Sequence, residues 1–532
     1  MKKNFIFGIA IFFICWHIQL FSQEVPPSFD LRNVEGKNYV TSVKNQGNYG
    51  TCWAHGAMAA IEGNLLKTGG WAAAGETGEP NFAEYHLDWW NGFNQHYNED
   101  TTPTYGGGLE VHYGGDYLIT SAYLSRGEGA VRDIDGQSPA PAPARTSPQY
   151  HYFYVRNIEW FSPGTGTNYR GVIKQKIMEH GVLGTCMCYD GAFIRTDLGY
   201  THFQPGNNGE DPNHAIAIVG WDDAKITQFD KPGAWLVKNS WGAGWGLAGY
   251  FWISYYDKHS TIHPEMGAVS FQNVEPMKYD HIYYHDYHGW RGTLEQVNEA
   301  FNAFIALNNE SLKSVSFFTA DNNVEYELVV YDHFVNEELT APLASKTGII
   351  EFTGFHTIDL DSLVSLRAGD DFYIYLKLSH GGHPIDRTSE VSVLLGATTT
   401  RTIVESRANH GESYYRLGSS WTDLYDYSFH DYSWDHTANF CMKALTVTGL
   451  PTEINSGENI VPEGFALAQN FPNPFNSSTM IRFALHKPSR VTLKIYNLLG
   501  EEINTLVESD ETIGWKSVDW NGTDRFGRAV NS

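Results

Sequence analysis

Apolar positions along the chain fall into distinct periods, and each period predicts an element. From Cys52 to Leu66 the residues Trp53, Ala57, Ala60, Ile61 and Leu65 recur on one face of a helix. A second amphipathic helix is predicted over Tyr169–His180 and a buried strand over Val182–Tyr189. Ala215–Val219 is a continuous apolar run ending at Gly220, the pattern of a buried strand, and His214 opens it. The polar stretch Asp222–Gly233 that follows is predicted to be an exposed hairpin near the site. Beyond Pro276 the period changes to two. EYELVVY (Glu325–Tyr331), FYIYLKL (Phe372–Leu378) and EVSVLL (Glu390–Leu395) alternate as half-buried strands between Gly, Asn and Asp turns, which predicts an antiparallel β-sandwich reaching about Thr448.

At the amino terminus, Lys2 and Lys3 precede an apolar run from Phe5 to Leu20, with the small Ser22 offering a cleavage point. This is the pattern of a signal peptide, residues 1–22, and not of a spanning helix. Cys15 is not read as a lipid attachment site, because the bulky Ile14 precedes it. No second apolar run is long enough to span a membrane.

Length and charge narrow the function. A chain of 532 residues divides into three or four domains. A net charge of -25 argues against nucleic acid or an anionic membrane as partner. After the leader only Cys52, Cys186, Cys188 and Cys441 remain. Cys186 and Cys188 alternate on one strand face, an awkward geometry for a mutual disulfide, so they are read as core thiols and the fold as independent of disulfides.

The chemistry gathers at QGNYGTCW, Gln46–Trp53. Cys52 at the first turn of a buried helix meets unpaired N–H groups and the positive end of the helix dipole, which predicts a lowered thiol pKa. Gln46 is the candidate oxyanion donor, with the backbone N–H of Cys52. His214 is the candidate proton carrier, and Asn239, in WLVKNSWGAGWG, the candidate that fixes its tautomer. Trp241 is placed to cover that hydrogen bond. Taken singly, each residue also has a structural reading: an inert buried thiol, a satisfied core histidine, a turn-forming asparagine.

Three blocks in order, QGNYGTCWAH, NHAIAIVGW and KNSWGAGWGLAGYFWIS, resemble the papain-like (C1) cysteine proteases. The resemblance implies a nucleophilic Cys52, His214 as base and acid, Asn239 as its orienter and Gln46 in the oxyanion hole, with no cofactor and no metal. It also implies a second helix near Phe82–Trp90 and a glycine pair, Gly114 and Gly115, against which substrate backbone lies, a simple turn being the equal alternative. Bare glycines permit such an approach. PPSFDLR, Pro26–Arg32, resembles the family's mature amino terminus, and no room for a propeptide is seen between Ser22 and Pro26. His55 stands where the family has an aromatic residue. It competes with His214 as base, and His214 is favoured because a helical side chain leans back along its own helix. SPAPAPARTSP, Ser138–Pro148, reads as an extended linker between the helical and β-rich halves.

Residues 276–448 resemble, more loosely, the lectin-like domain found after the protease in some bacterial and archaeal relatives. Trp290, Trp421 and Trp434 are its candidates for stacking on sugars, against a core role. His281, His285 and His288 are weighed as a metal cluster and set aside. After a polar linker, 449–464, the segments NPFN, NLLG and WNGTD resemble the sorting domain of type IX secretion, 465–532. The family's last strand and basic tail are not seen before Ser532, so a shortened domain is expected.

The fold class expected is thus α+β: a two-lobed papain-like protease over 23–275, with a helical and a β-barrel-like lobe, then the β-sandwich and a small C-terminal β-sandwich. The function expected is a secreted cysteine endopeptidase, reaching the exterior or cell surface through the Sec route and periplasm. Its partners would be protein or peptide substrates, the type IX machinery and, secondarily, a carbohydrate or surface ligand on 276–448. The alternatives are a catalytically silent surface adhesin and a Cys-His acyl transferase.

Overall fold

The computed structural model describes residues 25–163, 168–392, 395, 401–430, 434–449, 465–467, 479–497, 500–526, 528 and 530. The leader, the 449–464 linker beyond Gly449 and the NPFN segment lie outside the described residues. The chain forms two compact units, 1–450 and 451–532.

In the first unit, helix α1 (Cys52–Thr68) is buried over its first fourteen residues. Its amphipathic period is weak for that reason: small residues (Ala54, Gly56, Ala57, Ala59, Ala60, Gly63) let neighbours pack on every side. An added Cβ at Gly63 would stand 2.5 Å from the Val182 side chain, and one at Gly56 would stand 2.7 Å from the Tyr117 hydroxyl. Helices α2 (Glu84–Trp90) and α3 (Tyr117–Ser125) complete the helical half. The β-rich half holds β2 (Phe153–Phe161), α4 (Tyr169–His180), β3 (Leu183–Met187), β4 (His214–Asp222), β5 (Ala234–Lys238), β6 (Tyr250–Ser254) and β7 (Ala268–Pro276), with β1 (Ser28–Asp30) paired to β4. The helix predicted over Tyr169–His180 and the strands opened by Val182 and His214 are therefore present.

The helical and β-rich halves and the following sandwich are not separated by a gap. Strand β8 (Gly354–Leu366) pairs on one side with Glu310–Thr319 and on the other with β2, so one thirteen-stranded sheet runs from the sandwich into the protease-like half. The junction is Gly354 opposite Glu159, and there a side chain does not fit. Gly354 has φ +147°, and an added Cβ would lie 1.9 Å from the Ile158 carbonyl oxygen. Gly354→Ala is expected to destabilise the first unit by about 3 kcal/mol, read as a lower urea midpoint at unchanged slope. A midpoint equal to wild type would show that the junction bears no such constraint.

A second sheet of six strands, in the order Glu338–Ile350, Val324–Val335, Asp371–Leu378, Glu299–Ile305, Ser413–Arg416 and Trp421–Asp423, faces the first across a separate apolar core. The second unit has two small antiparallel sheets, Ala466–Leu467 with Thr479–Leu485 and Gly514–Trp520, and a hairpin of Ser489–Tyr496 with Glu502–Glu511.

Two local expectations are corrected. Ser138–Pro148 is not a free linker. Its carbonyls accept from Trp89 Nε1 at Ser138 (3.1 Å) and Trp90 Nε1 at Pro143 (3.0 Å), so the strap is bound along α2 before the chain enters β2. The Asp222–Gly233 loop leaves the far end of β4 from His214, eight residues or about 27 Å along the strand, because an extended residue rises ~3.4 Å. It folds back onto the 193–201 segment, where Gln228 Nε2 donates to the Phe193 and Thr201 carbonyls, and contributes no residue to the lining of the cleft at His214. Trp290, Trp421 and Trp434 are part-buried and engaged: Trp290 donates to Thr293 Oγ1, Trp421 packs edge-on to Phe301 at 4.7 Å, and Trp434 lies under the Arg387 guanidinium at 4.6 Å. Each keeps part of its surface exposed, and Trp290 borders a cavity of about 580 Å³ together with Asp116, Arg291 and Glu390.

Candidate active site

Pairing of two loops assembles the site. Asn45 bridges Trp241, and the Gln46 N–H donates to the Ser240 carbonyl at 2.8 Å. The loop before α1 is thereby fastened to the loop after β5. Between them opens a cleft of about 430 Å³, lined among others by Gln46, Cys52, His112, Tyr113, His214 and Trp241. Four of the residues named from sequence thus meet there.

His214 is the first residue of β4, and Asn239 follows β5 directly. Asn239 Oδ1 accepts from His214 Nε2 at 2.8 Å and from the Ser240 N–H at 2.8 Å. The second bond comes from a fixed backbone donor, so it decides which end of the amide is oxygen. Nε2 therefore carries hydrogen and Nδ1 is left with its lone pair. The Trp241 ring stacks on the imidazole, centroids 4.4 Å apart and 26° from parallel, and shields that bond from water.

Gln46 is held from both ends. Its Oε1 accepts from the Ser240 hydroxyl at 2.5 Å, and Nε2 donates to the Tyr49 carbonyl at 2.7 Å. An amide nitrogen carries two hydrogens, so one remains for the cleft.

Cys52 is the first residue of α1, as expected, but its thiol pKa moves the other way from the expectation. Burial pushes it up to about 11, offset only in part by the N–H groups of Ala215, Trp53 and Cys52 itself. A dipole at a helix end is a weaker influence than removal of sulfur from water. Burial likewise lowers His214 to about 4, against the favourable bond to Asn239. Either charge alone is disfavoured. One proton transfer from sulfur to Nδ1 forms both charges together, and their attraction offsets the desolvation.

The glycine pair lies beside the cleft rather than in its lining. Gly50 pairs with Tyr113, which carries the chain to Gly114 (φ +108°) and Gly115. A Cβ on Gly115 would stand 2.5 Å from the Trp53 indole, so glycine is required there by the residue next to Cys52. The Gly115 N–H donates to the carbonyl of Leu395 at 3.1 Å, and Leu395 is fully buried.

Sequence reasoning missed the cleft rim. His112 Nδ1 bonds the buried Asp88 carboxylate on α2, and Nε2 bonds the Pro139 carbonyl at 2.9 Å. Burial opposes its charge, but Asp88 outweighs burial and raises the His112 pKa. The adjacent glycine pair was the signal that this stretch lies at the site. Cys186, Cys188 and Cys441 are buried and free, in line with the core-thiol reading. His281, His285 and His288 diverge: His281 packs on Tyr283, His285 bonds the Ala303 carbonyl, and His288 bonds the Gly92 carbonyl. Among the described residues one group has metal-ligand spacing, Asp100, His288 and Asp386, with ligand atoms within 4.8 Å of one another. Burial is the largest cause of a rise in both carboxyls, Asp100 to about 7 and Asp386 also upward.

Residues 25–74 and 150–269 match the papain family cysteine protease profile, and residues 282–446 match the lectin like domain. The structure is similar to that of the clostridial cysteine protease Cwp84 after propeptide cleavage, with a TM-score of 0.62 at 24% identity, covering 79% of this chain and 99% of that one. It is equally similar, at 0.62 and 24%, to the cysteine protease and lectin-like domains of Cwp84, a surface layer associated protein of Clostridium difficile, covering 80% and 90%. The chain carries a papain-like protease domain and a lectin-like domain. The papain-like domain is 26% identical over 236 residues to cathepsin K of Mus musculus and 27% identical over 231 residues to pro-cathepsin H of Bos taurus. These stretches are 42% and 43% of this chain and span 59% of each of those curated relatives. The sandwich expected over 276–448 is the lectin-like domain, and the papain-like domain is continuous with it through β2 and β8.

Proposed function

We propose that the papain-like domain is a cysteine endopeptidase acting on proteins or peptides. The observation that carries this reading is the 2.8 Å bond from His214 Nε2 to Asn239 under the Trp241 ring, in one cleft with Cys52 and Gln46. His214 Nδ1 takes the Cys52 proton, and the thiolate attacks the peptide carbonyl. The free Gln46 N–H and the Cys52 backbone N–H receive the oxyanion. His214 then gives its proton to the leaving amine, and water entering along the same path releases the acyl group. Trp241 keeps water from the His214–Asn239 bond throughout. A peptide that uses the Gly115 edge must displace the Leu395 carbonyl from it.

The leader pattern of residues 1–22 and the type IX-like carboxy-terminal segment support export to the cell surface or medium. The relative Cwp84 is described as surface layer associated. No helix among the described residues is long and apolar enough to cross a membrane. The part-exposed Trp290, Trp421 and Trp434 stay the candidates for a carbohydrate or surface ligand of the lectin-like domain.

The deciding experiment is labelling with a peptidyl epoxide directed at thiol proteases, followed by peptide mapping. One adduct per chain on Cys52, lost in His214→Ala, is the expected result. Labelling that persists in His214→Ala would exclude the assigned pair. Gln46→Ala is expected to lower kcat about 100-fold with KM little changed, because its free N–H engages only the oxyanion. A rise in KM alone would place Gln46 in substrate binding instead.

A further inference from the structure

His55 was left without a task by the reaction above, and the environment of Asn239 supplies one. Asn239 uses its oxygen twice, towards His214 and Ser240, yet its Nδ2 is buried without a hydrogen-bond partner. Such a donor is costly unless it is satisfied. A cavity of about 20 Å³ adjoins it, lined among others by Lys44, His55, Glu62, Glu84, Lys238 and Asn239. One water needs roughly 10–15 Å³ by this measure, so the space admits one water and little more.

Every carboxylate oxygen in the lining already accepts at least one hydrogen bond. Glu62 accepts from Thr41 Oγ1, Lys44 Nζ and the Phe82 N–H. Glu84 accepts from Lys44 Nζ and Gln137 Nε2. Lys238 Nζ donates to Thr41 Oγ1, and burial lowers its pKa to about 8. Among the side-chain acceptors of the lining, the one that takes part in no hydrogen bond is Nε2 of His55. Its Nδ1 contacts the Thr51 carbonyl at 2.9 Å. A carbonyl only accepts, so Nδ1 carries the hydrogen and neutral His55 keeps a lone pair on Nε2.

We propose that one water bound in this cavity accepts from Asn239 Nδ2 and donates to His55 Nε2, which makes His55 a positioning residue for the Asn239–His214 pair. The water fixes the Asn239 amide from behind, so that Oδ1 stays on His214 as the imidazole gains its proton. His55 in turn is tied to Thr51, the residue that precedes Cys52 at the start of α1. The base and the thiol are thereby held by one connected set of bonds. An aromatic hydrocarbon at position 55 offers no acceptor for this water.

This inference rests on the thiol-protease reading for its kinetic part only. The test compares the full chain with His55→Phe and His55→Gln, using a fluorogenic peptide across pH and a high-resolution crystal structure. His55→Phe is expected to lower kcat about tenfold at unchanged KM and to shift the acid limb of the pH profile downward, since the imidazolium loses a fixed partner. His55→Gln, whose amide oxygen accepts in place of Nε2, is expected to recover most of kcat. The crystal structure is expected to show one water within hydrogen-bond distance of both Asn239 Nδ2 and His55 Nε2. A dry cavity overturns the proposal, as does a His55→Phe chain with wild-type kcat and pH profile. Should His55→Phe fail to fold, the water position and the His55→Gln kinetics decide alone. An inactive wild type that still holds the water removes the protease reading and leaves the site standing. An active wild type with a dry cavity does the reverse.

Discussion

Cys52→Ala is expected to abolish peptide-bond hydrolysis, with kcat/KM falling at least 10⁴-fold and the fold intact. The magnitude follows from the role of sulfur as the only atom that forms the acyl intermediate. Removing one member of a nucleophile–base pair costs nearly as much as removing the whole set, because the members act as a unit. The same reasoning makes the double variant Cys52→Ala/His214→Ala no worse than the single. Stability should change little: the thiol is buried in its neutral form, and loss of one sulfur beside backbone N–H groups leaves a small defect. The measurement is turnover of an unfolded protein substrate together with a urea midpoint for each variant. Residual turnover above one part in a hundred would mean that another residue carries the nucleophile. An additive double variant would mean that Cys52 and His214 serve separate functions.

The second large effect is acid sensitivity set by buried neutral histidines. His356, on β8, bonds the Phe352 carbonyl and is lowered by burial to about 3. His383 bonds the Asn298 carbonyl and is lowered by burial to about 4. In the unfolded chain each titrates near 6.5. Between that value and the folded one, the unfolded chain binds more protons than the native chain, so stability falls as pH falls. From pH 7 to pH 5 each histidine removes on the order of 2 kcal/mol. The pair accounts for about 4 kcal/mol, a large part of the 5–15 kcal/mol typical of a domain. Asp100 and Asp386 are shifted upward and titrate in the opposite sense, so the test is a difference between chains that share them. His356→Gln/His383→Gln is expected to lose about 4 kcal/mol less than wild type between pH 7 and pH 5, by urea denaturation. Equal losses in the two chains would show that these imidazoles are not buried neutral.

Much of the site was legible because its parts are local. A strand period opened at His214, a helical period began at Cys52, and Gln46 and Asn239 stood in loops beside them. Side-chain period and turn residues are properties of short segments, so the chain states them directly. The fourfold meeting of Gln46, Cys52, His214 and Asn239 needed the resemblance as well, since contacts between residues some 190 apart leave no periodic trace. The position of Cys52 on its helix was correctly read, and the direction of its pKa was not. The dipole at a helix end is visible in sequence, whereas the depth at which the sulfur sits is a sum over every neighbour.

The sequence by itself determined the helices from Cys52 and Tyr169, the buried strands near Val182 and His214, the change to alternating strands near Pro276, and the residues able to carry thiol chemistry. These depend on side-chain type and spacing alone. Only the tertiary structure decided that β8 joins β2 in one sheet across both domains, that Leu395 meets Gly115, that the 138–148 strap is bound to α2, and that Asn239 Nδ2 borders a cavity with His55. The physical reason is common to all four. Each is a backbone or buried polar group that must find a partner once water is removed, and which partner it finds depends on the packing of segments far apart in the chain.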